Sequence, residues 1–131
     1  MAQVYNYFSL RPKYNYKIMV VFPKDITPSL KVGDTLLEKY KLPPKYSMES
    51  TCFTIQSFLM SIDIQAKYEI PVVVILMYDD DPNHSVLIKD DELDYIVNKL
   101  RSCSDEKQHV WNIIQKEHLY FSNHKNKEQQ P

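Results

Sequence analysis

The sequence predicts an α+β domain: a small mixed sheet of about four strands with helices packed on it, in the order β-β-α-α-β-β-α-α. Three observations carry this. Residues 70–77, Ile-Pro-Val-Val-Val-Ile-Leu-Met, are the longest uninterrupted apolar run and are rich in β-branched side chains. A strand with one wet face would alternate, so this one is expected to be buried on both faces. Residues 14–22 alternate with a period of two, as a strand does. Met48, Cys52, Ile55, Leu59, Ile62 and Ala66 recur at steps of four and three, the period of a helix.

The elements follow in order. Val4–Leu10 reads as an aromatic-rich strand, and Arg11-Pro12-Lys13 breaks it. The short break favours an antiparallel hairpin with the next strand, Tyr14–Phe22. There Tyr14, Tyr16, Ile18, Val20 and Phe22 form a core face. Asn15, Lys17, Met19 and Val21 form a face that starts wet and ends dry. Pro23–Pro28 is a loop. Asp34 is placed as the N-cap of a short helix over 35–41 that buries Leu36, Leu37 and Tyr40, and Leu42-Pro43-Pro44 stops it. Ser47 is placed as the cap of the next helix, with Glu49 in its first turn. The far side of that helix holds Phe53, Phe58, Met60 and Ile64, and no charge occurs from Ser50 to Ile62. Such a helix is either sandwiched in the domain or offered to a partner.

After the central strand, Asp79–His84 turns the chain and Ser85–Ile88 returns antiparallel. Asp90 is placed as the cap of a helix with Leu93, Ile96, Val97 and Leu100 inward. Ser102 or Ser104 starts the last helix, with Val110, Ile113, Ile114 and Phe121 on one face. A single globular domain over 1–121 and a polar, disordered tail over 122–131 are expected.

Composition excludes several function classes. The 131 residues contain one glycine, Gly33. Phosphate-binding loops need more than one, because backbone must approach the phosphate closely, so the dinucleotide fingerprint and the P-loop are absent. Residues 1–50 carry eight Lys/Arg and four Asp/Glu, residues 51–106 four and eleven, and residues 107–131 four and two, for a net charge of −1. A basic front and an acidic middle can steer a partner. Only Arg11 and Arg101 are arginine, which weighs against nucleic acid, where the guanidinium fork is favoured. Cys52 and Cys103 match no zinc spacing. No signal peptide, lipidation motif or membrane-length apolar run is seen. An intracellular protein, cytoplasmic or nuclear, is expected, without a cofactor. The surplus of Lys, Asn, Tyr and Ile suggests an AT-rich gene, as a virus can have.

The enzymatic candidate is Asp79-Asp80-Asp81 after the central strand, with Asp90 ten residues on. Asp79, Asp81 and Asp90 could hold Mg²⁺ in a phosphodiesterase or nuclease, since oxygen ligands suit that ion. The simpler reading is a solvated turn and a helix start. Cys52 falls on a core stripe. Cys103 lies near an expected helix start, which lowers a thiol pKa, but His84, His109, His118 and His124 have no spacing that forces one beside it. Tyr5, Tyr7, Phe8, Tyr14 and Tyr16 could stack single-stranded bases, yet only Arg11, Lys13 and Lys17 supply positive charge among them. The favoured expectation is a non-enzymatic protein-interaction module, an adaptor or complex subunit that binds a partner or itself. Its contacts would be Tyr5, Tyr7 and Phe8 with Phe53 and Phe58.

Overall fold

The all-apolar run does become an interior strand. In the computed structural model, which describes residues 16–23, 33–51 and 53–129, β3 (Val72–Met77) lies second from one edge of a four-stranded mixed sheet. Among the described residues the other elements are β1 (Tyr16–Val21), α1 (Gly33–Lys39), β2 (Tyr46–Thr51), α2 (Ile55–Lys67), β4 (Ser85–Ile88), α3 (Asp90–Arg101) and α4 (Val110–Gln129). The strand order is β2-β1-β3-β4. β1 runs parallel to both β2 and β3, and β4 closes the sheet antiparallel to β3.

Alternation sends the two sides of each interior strand into two cores. Met19, Val21, Val74, Leu76 and Ile88 face α2, α3 and α4 through Ile55, Phe58, Ile96, Leu100, Val110 and Ile114. Ile18, Val20, Phe22, Ile75 and Met77 face α1 through Leu36, with Leu37 and Tyr40 beside it. Val74 through Met77 are all 0% exposed, so layers lie above and below β3, as its uninterrupted apolar run predicts. The crossover through α1 steps from β1 to one side, and that through α2 steps back past β1 to the other. They lie on opposite faces, so both have the same hand, as the handedness rule requires.

Three local expectations are corrected. Residues 46–51 form the edge strand β2, not the start of a helix. Ser47 accordingly sits in a ladder opposite Lys17, and its hydroxyl donates to the Tyr16 carbonyl at 3.4 Å. The helix α2 begins at Ile55, where Thr54 is the N-cap and its Oγ1 accepts from the Ser57 amide at 3.3 Å. Lys17 is not wet. It is 3% exposed, and its ammonium lies 3.1 Å from Glu49 Oε1, while Ser61 of α2 donates to Glu49 Oε2 at 3.2 Å. The last helix starts at Val110, not near Ser102, and α4 continues through residues 122–129 to Gln129. The expected strand over 4–10 and its hairpin lie outside the described residues.

Two helix ends share one device. The Ile70 amide donates to the Gln65 carbonyl at 2.8 Å and the Glu69 amide to Ala66 at 3.0 Å. Leu42 and Lys41 do the same to Leu37 and Glu38 at 2.9 and 3.2 Å. Both are Schellman closures, in which the residue after the cap is left-handed and glycine is favoured. Here that residue is Glu69 at φ 55° or Lys41 at φ 56°. A left-handed non-glycine costs roughly 1–2 kcal/mol, which the larger unfolded-state entropy of glycine partly offsets. Glu69→Gly and Lys41→Gly are therefore each expected to stabilise by about 0.5–1 kcal/mol, seen as a melting temperature raised by about 3 °C.

Candidate functional site

Of the predicted contact aromatics, Phe58 is 0% exposed and sits in the core beneath α3 and α4, and Phe53 is partly buried against that core while its carbonyl accepts the Val110 amide at 3.0 Å. Tyr5, Tyr7, Phe8 and Tyr14 lie outside the described residues, as does Cys52. Tyr16 stacks on Tyr46 at 4.7 Å with the Lys45 ammonium 4.3 Å from its ring.

The acidic segment after β3 is a closed turn. Asp79 and Asp80 are both left-handed, at φ 55° and 51°, and the Asp81 amide donates to the Tyr78 carbonyl at 3.1 Å. Aspartate tolerates that conformation better than most residues. Asp81 Oδ1 accepts the Asn83 amide at 3.0 Å, and Asp79 pairs with exposed His84 at 3.4 Å. The turn's inward oxygens already have a cation: Lys39 Nζ donates to the carbonyls of Pro82 and Asn83, both at 3.0 Å, and to Ser85 Oγ at 2.9 Å. Asp90 lies in the first turn of α3. Among the described residues no group of three or more His, Cys, Asp or Glu is placed to hold a metal. Cys103 follows the end of α3 rather than preceding a helix, so no helix N-terminus acts on its thiol.

Among the described residues the exposed large apolar side chains are Met60 on α2, Tyr68 just after it, and Leu119 and Tyr120, consecutive on α4 and 55% and 49% exposed. Tyr120 is held in place by its neighbours. Its ring lies 6.3 Å from Tyr95, nearly parallel at 9°, and 3.9 Å from His124. Tyr95 in turn donates its hydroxyl to Glu117 Oε1 at 2.9 Å and lies 5.4 Å from Phe121. Burial, and then the Glu117 carboxylate, push the Tyr95 phenol up to about 12, so it remains a neutral donor. Around Leu119 and Tyr120 the exposed positions of α4 are Asn112, Lys116, Asn123 and His124, none of them acidic. Glu117, the one carboxylate between residues 116 and 127, is turned inward to Tyr95 and is part-buried.

The inner side of the same helix meets the start of α3. Glu92, 5% exposed, pairs with His118 Nδ1, whose side chain is also largely enclosed. Beside them is a cavity of about 290 Å³ lined by Leu87, Lys89, Asp91, Glu92, His118, Phe121 and Ser122. No family model, curated protein or solved structure matches the chain. Neither side of α4 was found from the sequence. Glu92 is fully accounted for by a helix dipole, and its partner lies 26 residues away on another helix. The outer stripe at 116, 119, 120, 123 and 124 follows the three-and-four spacing, but the segment reads as a polar tail from Ser122 onward. Among the described residues no helix is long and apolar enough to cross a membrane.

Proposed function

We propose that the protein is a protein-interaction module whose docking face is the outer stripe of α4. The observation that supports this is the adjacent exposure of Leu119 and Tyr120. Exposed apolar side chains rimmed by polar residues mark interfaces. Tyrosine held rigid by neighbouring rings loses little entropy on binding, which suits it to anchor an interface. The occupant is an acidic, apolar segment of another protein. Among the described side chains the stripe carries no exposed carboxylate, it includes the exposed Lys116, and Glu117 is turned inward to Tyr95. Complementary charge speeds encounter and fixes orientation, while the apolar pair supplies affinity.

The test uses a synthetic 16-residue helical peptide with Leu and Trp on one face and Glu on the other, labelled for fluorescence anisotropy. Its counterpart carries Lys for every Glu. The acidic peptide is expected to bind at micromolar concentration and to weaken as salt is raised from 50 to 500 mM. The basic peptide is expected to bind at least tenfold more weakly. Equal binding of the two peptides, no binding, or tighter binding to anionic lipid vesicles than to the acidic peptide would overturn the reading.

A further inference from the structure

The geometry points to a second site, separate from the docking stripe: the cavity beside His118 is a hydrolytic site for small carboxylic esters, with His118 as general base. The His118 ring is oriented by a buried carboxylate. Glu92, 5% exposed, lies against Nδ1, so the imidazole proton belongs on Nδ1 and the lone pair on Nε2. This is the base-and-orienter half of an acyl-transfer site, and His118 lines the cavity. A volume of about 290 Å³ falls at the small end of ligand cavities, which run from roughly 300 to 1,000 Å³. Leu87 and Phe121 give it apolar walls for the acyl or aryl portion, and Lys89 and Asp91 stand at its lining with opposite charges. The simplest nucleophile is water. Nε2 takes a proton from water as that oxygen bonds to the acyl carbon and the carbonyl electron pair moves onto its own oxygen. Glu92 stabilises the imidazolium so formed. The tetrahedral intermediate then expels the alcohol oxygen, which takes the proton back from Nε2. Ester and water become acid and alcohol, and both side chains return to their starting state.

The probe is p-nitrophenyl acetate with the full chain, followed by release of nitrophenolate in H₂O and in D₂O. The intact protein is expected to exceed His118→Ala by roughly 10²-fold and to slow in D₂O, as proton transfer in the transition state requires. Glu92→Gln is expected to lose about tenfold or more, because the ring loses the partner that holds its charge. Removing either member can disturb the fold, so a third variant leaves the pair intact. Ser122→Phe fills the cavity and is expected to abolish hydrolysis while the circular dichroism spectrum is kept. The proposal is overturned if the intact protein is no faster than His118→Ala, or if Ser122→Phe retains the rate.

Discussion

Phe58→Ala is expected to lower the unfolding free energy by about 3–5 kcal/mol, the usual cost of emptying a phenyl site in a close-packed core. Phe58 is 0% exposed and lies in the cluster that joins Met19 and Val74 of the sheet to Ile96 and Ile114 of the covering helices. The cavity would open where the sheet meets α2, α3 and α4. Since domains are stable by only about 5–15 kcal/mol, the variant should lose a fifth or more of its stability. Urea unfolding followed by tryptophan fluorescence measures this. A change below about 1 kcal/mol would place the ring outside the core. The binding of the acidic peptide, corrected for folded fraction, should not move.

Glu49→Ala should cost about 3 kcal/mol, for an electrostatic reason. Removing one partner of a buried ion pair leaves the other charge uncompensated. Lys17 has 4% of its side chain exposed and Glu49 24%, so the greater burden falls on the lysine when the carboxylate is deleted. Ser61 also loses its acceptor. The double variant Lys17→Met/Glu49→Leu removes both charges and keeps the volume, so it should regain most of the parent stability or exceed it. The check is a double-mutant cycle in urea. Additive losses, with the double variant less stable than Glu49→Ala, would contradict this.

The interior of the fold is legible because burial on two faces leaves a plain mark. Val72–Met77 has no polar residue to alternate with, and the antiparallel return at Ser85–Ile88 follows from the turn residues before it. The edge strand β2 is not legible in the same way. Tyr46-Ser47-Met48-Glu49 does alternate, but Met48, Cys52 and Ile55 also fall at helical steps, and the segment is too short for one period to dominate. Extending α2 backwards through Met48 and Cys52 rotates its inferred face. Ile55, Phe58, Ile62 and Gln65 turn inward, whereas the inferred stripe ends on Ala66, which is exposed. This explains how Phe58 is assigned to a partner. Helix ends are hidden for a different reason. With a single glycine in the chain, the closures at Lys41 and Glu69 carry no glycine to mark them. Lys17 is misplaced because period two shows which face a side chain takes, not what covers it. Its partner is set by the pairing of β1 with β2.

The central functional claim is that Leu119 and Tyr120 bind and Phe58 does not. The most direct measurement is the anisotropy titration of the acidic helical peptide against Leu119→Glu/Tyr120→Glu. Both side chains are about half exposed, so the added charges stay in water, and losing the ring contacts of Tyr120 with Tyr95 and His124 should cost no more than about 1.5 kcal/mol in urea. The expected result is a dissociation constant raised at least tenfold with the fold intact. An unchanged dissociation constant in that stable variant would contradict the account.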